Sequence, residues 1–456
     1  MIRWLDRRLK LAKAARTFLN HVFPDHWSFM IGEIAFYSFL ILVVTGVFLA
    51  MFFESSSAKV PYHGSYRALD GLPVASSYGS VLRLSFDVPA GLLIRQMHHW
   101  AALIFVAAIV THVARVFFTA AFRRPRELTW IVGVTLLLFA IANGYLGYSI
   151  AGDLLSGVGL RIGYAIILAV PVIGQWLAFL LLGGDIPSAV TIPRFYSLHI
   201  FVVPAVIAIL LAVHLGLVWR QLHTNFPGPR RTDRTIVGSR LWPSYTAKSL
   251  GLFALLFAMI AMLGALVQID PIWIYGPYDP TAALPGAQPD WYLGWIEGAM
   301  RLFPGVNLRG KDLVPDVFFP AVLLPILIFG LLYLYPLFDK LIYPDLSDRH
   351  HNLLRLPYQQ PFSTAFGCGT AMFLLVLLFA GADDVIAAAA GTSVIGIRTI
   401  LRWLALFAPP VTFALVFLLC RRIERRRAAP RQPAVESVET ITGTPFAPES
   451  LHGKEG

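Results

Sequence analysis

The stretch LLIRQMHHWAALIFVAAIVTHVARVFF, residues 92–118, decides the fold. It is apolar almost throughout and long enough to cross a bilayer, yet it carries His98, His99 and His112, with Arg95 and Arg115 near its ends. Polar side chains at membrane depth are costly and are usually functional. A helix advances about 100° per residue, so His98 and His112, 14 positions apart, fall about 40° short of four full turns and share a face. His99 lies 13 positions from His112 and points to nearly the opposite face.

A second stretch repeats the pattern. RFYSLHIFVVPAVIAILLAVHLGLVW, residues 194–219, holds His199 and His214, 15 positions apart and about 60° from alignment. Within each helix the two histidines are separated by about 21–22 Å along the axis.

The rest of the chain is a membrane sequence. Of 456 residues, 57% are hydrophobic and 14% charged, a balance soluble domains do not have. Eight spans are predicted near 29–53, 93–118, 129–150, 197–219, 248–268, 317–338, 364–382 and 399–420. A further apolar stretch, 160–182, is interrupted by Pro171 and Gly174 and reads as a connector embedded at the surface, with a ninth span as the alternative. Charge sets the orientation. Residues 1–27 hold six Lys/Arg against two acids, and 220–248 hold six against one. The loop 269–316 reverses this, with six acids against three bases. Alternate loops are basic, which predicts both termini in the cytoplasm. The net charge of +11 thus belongs to membrane orientation and anionic lipid, not to nucleic acid. No cleavable signal peptide is visible. The basic start, with Trp4, Leu5, Leu9 and Leu11 near helical spacing, is expected on the inner membrane surface. The tail from about residue 428 is rich in Pro, Ala, Glu and Thr and is expected to be disordered. Four regions follow: a surface segment 1–28, a four-helix bundle 29–225, a second membrane region 226–425 and a tail 426–456.

The second and fourth spans run in the same direction, so His98 pairs in depth with His199 at the outer level and His112 with His214 at the inner level. Two imidazoles at each of two depths suit two haems, each held axially by one histidine from either helix. The alternative is four histidines that only bond helix to helix. The two cysteines, Cys368 and Cys420, sit in apolar stretches, and no Cys-x-x-Cys-His occurs, so covalent haem c and a cysteine-ligated cluster are excluded. Haem propionates need cations, and Arg95, Arg194 and Arg115 stand near the histidines. Gly32 and Gly46 in the first span, and Gly133 and Gly147 in the third, repeat the 14-residue spacing and would permit close approach of a flat macrocycle.

These histidine and glycine pairs, with RQMHH, LGYS at 146–149 and QPDWYLGW at 288–295, resemble cytochrome b of bc1-type quinol–cytochrome c reductases. The resemblance covers roughly residues 20–420. The form Pro289-Asp290-Trp291-Tyr292, where many members have Pro-Glu-Trp-Tyr, and GYSIAGDLLSGVGLRI are similar to the actinobacterial branch. It implies an all-α membrane protein with eight transmembrane helices, an N-terminal four-helix dihaem bundle and four further helices. It also implies two non-covalent b haems and a Q cycle in a bacterial cell membrane, with menaquinol as substrate. Expected partners are a Rieske iron–sulfur protein, a cytochrome c subunit and a second copy of the chain; a terminal oxidase is a further candidate. Asp290 becomes the candidate proton acceptor at the outer quinol site, with Tyr292 as its hydrogen-bonding neighbour. At the inner site Lys248 matches a family lysine, but the following acid is replaced by Ser249, which leaves His223 as the candidate proton donor. Each has a plainer reading: a turn acid, an interfacial tyrosine, a solvated histidine. The rival functions are a dihaem anchor subunit of another membrane oxidoreductase, in which PDWY has no purpose, and a proton-carrying transporter, which would bind no haem.

Overall fold

The computed structural model describes residues 6–428, apart from 7, 9, 185, 187, 283, 285, 304, 309, 310, 315 and 345–349. Trp4, Leu5, Leu9 and the tail beyond residue 428 therefore lie outside the described residues; the first helix, α1, is Leu11–Leu19. The chain is all-α in its body. Among the described residues eight helices are long and apolar enough to span a membrane. They are α2 (Ile31–Ala50), α3 (Gly91–Phe118), α4 (Glu127–Tyr148), α7 (Thr191–Gln221), α8 (Leu241–Leu266), α10 (Phe319–Ile342), α11 (Pro361–Ala380) and α12 (Val394–Ala428). The stretch read as a connector forms two short helices, α5 (Leu154–Leu168) and α6 (Gly174–Leu182), parted at Pro171 and too short to cross. A further short helix, α9 (Trp291–Leu302), opens just after Asp290.

The helices α2, α3, α4 and α7 pack around a core of Phe39, Phe105, Ile109, Leu136 and Ile207. The outward faces stay apolar: Val44, Ile209, Leu255 and Leu341 are all more than half exposed, as a lipid-facing surface requires. A second cluster joins α9, α11 and α12 through Leu302, Leu377 and Leu401. Trp130 of α4 donates from Nε1 to the Leu332 carbonyl of α10 at 2.6 Å and ties the two halves together.

Helix α7 is not regular. Residues Leu198–Val202 form a π-helical turn two residues ahead of Pro204. Leu324–Ile342 begins in the same way, with a π turn at Phe319–Leu323 ahead of Pro325. Proline lacks the N–H of the ladder and crowds the carbonyl four residues back, so the turn before it opens. A π turn takes in one residue more than an α turn. The 15-residue interval in α7 is thereby brought toward the phase of the 14-residue interval in α3.

Two-stranded ladders close the ends. Strand β1 (Val22–Pro24) pairs antiparallel with β4 (Gly238–Arg240), which folds the N-terminal segment onto the α7–α8 loop. On the opposite face β2 (Lys59–Pro61) pairs with β3 (Pro73–Ala75). At the basic face, buried Arg126 binds the end of α7: its Nη2 donates to the carbonyls of Gln221 and Leu222 at 3.1 and 3.0 Å and to Asn352 Oδ1 at 2.7 Å. Truncating it leaves those acceptors buried without a donor. Arg126→Ala should cost about 2–4 kcal/mol, read as a lower midpoint of heat-induced aggregation of the detergent-solubilised protein, while Arg220→Ala, at an exposed position of the same face, should leave the midpoint unchanged.

Candidate functional site

Helices α3 and α7 bring four imidazoles together in two pairs. The ring centroids of His98 and His199 are 6.3 Å apart, and those of His112 and His214 are 6.4 Å apart. Two metal–nitrogen bonds of about 2.0–2.1 Å plus about 1.1 Å from each nitrogen to its ring centre give a span of about 6.2–6.4 Å. That span matches the observed spacing, which is also that of an edge-to-face ring contact, the ring planes lying 80° and 72° apart.

At the first level the tautomers are fixed from outside. Thr45 spends its hydroxyl hydrogen on the Ile41 carbonyl at 2.6 Å, so it accepts from His98 Nδ1 at 2.9 Å. His199 donates from Nδ1 to the Asn143 carbonyl at 3.0 Å. Both Nε2 lone pairs are left free to act as ligands, the usual division of labour in a ligating histidine.

The predicted glycines lie against these rings. A Cβ on Gly147 would collide with the His199 ring, whereas one on Gly46 would meet His98 at 3.3 Å. Gly32 and Gly133 stand in the same relation to His112 and His214, at 3.2 and 3.5 Å. The glycines are thus explained by helix-to-imidazole contact as well as by room for a ring system. The three arginines divide. Arg95 lines the cavity, is held by one bond to the Asp270 carbonyl at 2.8 Å and keeps Nη1 buried without a partner. Arg115 lies 4.1 Å above the Phe29 ring with Nε and Nη2 buried and unpaired. Arg194 instead donates to the Phe179 and Leu180 carbonyls at the end of α6, at 2.7 and 2.8 Å, and does not line the cavity. Its proximity in sequence to His199 reflects anchoring of the connector.

A cavity of about 580 Å³ joins the His98/His199 pair to Asp290, Tyr292, His99, Asp270 and Asp153. Asp290 precedes α9. Its Oδ2 accepts from the Tyr292 hydroxyl at 2.8 Å and its Oδ1 is bonded to His99 Nε2 at 2.8 Å. The Tyr292 hydroxyl also lies against Gly144, where any Cβ would displace it. His99 Nδ1 faces Asp270 at 3.8 Å, and the ligating atoms of His99, Asp270 and Asp290 all lie within 4.8 Å of one another. Burial pushes the Asp270 carboxyl up to about 6, with nearby Asp290 acting in the same sense and His99 against it. Such a group exchanges protons near neutral pH. Burial likewise raises the Asp153 carboxyl and the Tyr292 phenol. Sequence phase alone turned His99 away from the other histidines; that it turns toward Asp290 depends on a contact spanning 191 residues, which no local pattern carries.

At the basic face His223 lies 4.5 Å from Phe23 and 5.9 Å from His21, ring to ring. Burial, then the neighbouring His21 and the Arg126 and Arg115 charges, pull its pKa down to about 4. It is neutral at pH 7 and has no imidazolium proton to give. Lys248 is committed to Asp25 at 2.6 Å. Ser249, where the family resemblance puts an acid, bonds the carboxylate of Glu33 from α2.

The family described as cytochrome b(N-terminal)/b6/petB matches residues 103–277. The chain is 43% identical over 422 residues to the cytochrome bc1 complex cytochrome b subunit of Corynebacterium efficiens, covering 92% of this chain and 77% of that one. The same subunit of Streptomyces coelicolor is 43% identical over 93% of this chain and 77% of its own length, and that of Mycobacterium tuberculosis 43% identical over 95% and 79%. In fold the chain is similar to a solved structure titled hyperthermophilic respiratory Complex III, with a TM-score of 0.67, 19% identity, and coverage of 92% of this chain and 99% of that one.

Overpacking separates two of the glycines. Gly147→Ala, which forces the His199 ring to move, should cost about 1–3 kcal/mol, and Gly46→Ala, which needs a shift of a few tenths of an ångström, should cost less; the check is the thermal midpoint of the two purified variants.

Proposed function

The chain belongs to the cytochrome b subunit family of the cytochrome bc1 complex, a multi-pass membrane subunit of quinol–cytochrome c reductase, and on that premise we propose how its own residues divide the work. The observation that carries the reading is the pair of imidazole sets spaced 6.3 and 6.4 Å, one of them opening into the cavity that holds Asp290. His98 with His199, and His112 with His214, are the ligands of two non-covalent b haems. Haem held by two imidazoles carries one electron at a time and offers no open position for oxygen. The residues fit the group: both first-level Nε2 atoms are free, and buried N–H groups of Arg95 and Arg115 lack partners that propionates would supply. The two levels, about 21 Å apart along α3, support an electron route from one membrane face to the other. The division into a dihaem bundle at 29–225 and a further membrane region at 226–425 belongs to the same reading.

The basic loops support a cytoplasmic position for the face of His112 and His214 and for both termini. Quinol, menaquinol by the branch the chain resembles, is oxidised at the opposite face in the cavity beside Asp290. Asp290 takes a proton from a quinol hydroxyl on one of its remaining lone pairs. The His99 and Tyr292 donors hold the carboxylate in place. One electron leaves to a Rieske iron–sulfur partner and thence to cytochrome c. The other crosses the chain to a quinone at the cytoplasmic face. A homodimer and an attached terminal oxidase are the further partners in this scheme.

The ligand assignment predicts two acid-acetone-extractable haems per chain. His98→Ala should retain one, and His99→Ala both, because His99 is bonded to Asp290 and not paired across α7; the pyridine haemochrome content of the purified variants decides it, and loss of a haem from His99→Ala alone would reverse the assignment. For the outer site, Asp290→Asn keeps shape but cannot accept a proton. It should lower quinol–cytochrome c reductase turnover per haem by about 10²-fold, with Asp290→Glu retaining more activity; equal turnover in wild type and Asp290→Asn would remove the carboxylate from the mechanism.

A further inference from the structure

The face opposite Asp290 lacks the acid that Ser249 replaces, and a different helix supplies one. Glu33 lies in the first turn of α2, beside Gly32, whose absent Cβ leaves room for His112. Its Oε1 accepts from the Tyr245 hydroxyl and its Oε2 from Ser249 Oγ, and Ser249 is bonded in turn to the Tyr37 hydroxyl at 2.6 Å. Among the described residues no cation pairs with Glu33, although Lys248 stands next to Ser249 in sequence; Lys248 is held by Asp25, itself bonded to Ser239 at 2.7 Å. A carboxyl group inside a membrane helix, neutralised by no ion pair and held by hydroxyls alone, is expensive to retain. Hydroxyls, unlike a lysine, bring no opposing charge to the carboxyl.

The surroundings are rich in aromatic rings, the kind of side chain that contacts a planar quinone. Tyr245 stacks on Phe23 with centroids 4.2 Å apart, Phe23 meets His223, and His21 stacks on Trp219 at 4.0 Å. These rings come together because β1 pairs with β4 and lays the N-terminal segment over the α7–α8 loop. The exposed Asp25–Lys248 pair keeps the same corner in touch with water.

We propose that Glu33 is the proton carrier of the cytoplasmic quinone site, standing in from α2 for the acid that Ser249 does not provide on α8. The proposal rests on the reading of that face as a quinone-reducing site. Reduction of one quinone to quinol takes two electrons, which arrive one at a time along the chain's electron route, and two protons. In each of two passes the Glu33 carboxyl O–H breaks as a quinone O–H forms, the carboxylate is held by Tyr245 and Ser249, and cytoplasmic water returns the proton to it. His223, neutral in its aromatic pocket, serves as a hydrogen-bonding wall and not as the proton source.

The test uses the complete complex in membranes, with the Asp290-side quinol site blocked by an inhibitor. A short-chain menaquinol is added and the rate of haem b reduction through the remaining site is followed, then the quinol–cytochrome c turnover without inhibitor. Glu33→Gln should keep both haems but slow each rate by about 10²-fold. Glu33→Asp should lie between it and wild type. In the double variant Glu33→Gln/Ser249→Asp, the acid returns on α8 and most of the rate should return with it, which a purely packing role for Glu33 would not give. Wild-type rates in Glu33→Gln, or no recovery in the double variant, would overturn the assignment of Glu33. Absence of inhibitor-resistant haem reduction in wild type would instead overturn the quinone site itself, and the proposal with it. Should Glu33→Gln not accumulate, Ser249→Ala and Tyr245→Phe take its place: each strips one donor from the acid and should slow the reaction about tenfold or less, and unchanged rates in both would count against the proposal.

Discussion

Everything in this molecule is arranged around two helices that must face each other through imidazole rings at two depths. At 6.3–6.4 Å between ring centres the rings of each pair meet edge to face, with no side chain between them. That contact fixes the approach of α3 to α7 and their relative phase. Neighbouring helices then have to come close enough to hold the rings from behind. That demand accounts for glycine on α2 and α4 at the same two levels, and for Thr45 and the Asn143 carbonyl at the first of them.

The same constraint explains the local irregularity of α7. Two helices with unequal intervals, 14 and 15 residues, would drift out of register if both were regular. Pro204 opens a π turn through His199 itself, and the extra residue is absorbed there. The irregular turn is compatible with a membrane because Pro204 removes a donor instead of leaving one unsatisfied in hydrocarbon.

Much of this was legible from sequence because it repeats at helical intervals. Eight apolar stretches, the two histidine pairs and the four glycines are periodic signals, and each was found within one helix. What stayed hidden involves contacts between distant segments. His99 was seen to leave the shared face, but its bond to Asp290 joins positions 191 residues apart. Arg194 was placed with the propionates by its nearness to His199 in sequence, yet its side chain reaches the exposed carbonyls at the end of α6. The setting of His223 is likewise long-range: Phe23 and His21 arrive from the N-terminal segment, and burial beside them pulls its pKa down to about 4.

The two faces then differ in how they hold an acid. Near Asp290 the carboxylate is set among charges and buried partners: a histidine, a tyrosine, and Asp270 and Asp153, whose carboxyls burial pushes upward. Such a cluster can share one proton among several groups. Near Glu33 the partners are only hydroxyls, Tyr245 and Ser249. Each hydroxyl donates to one carboxylate oxygen, so both oxygens are held without an opposing charge. The carboxyl of this corner is thus carried by the first turn of α2, next to the Gly32 that lies against His112, and Ser249 of α8 supports it by a hydrogen bond.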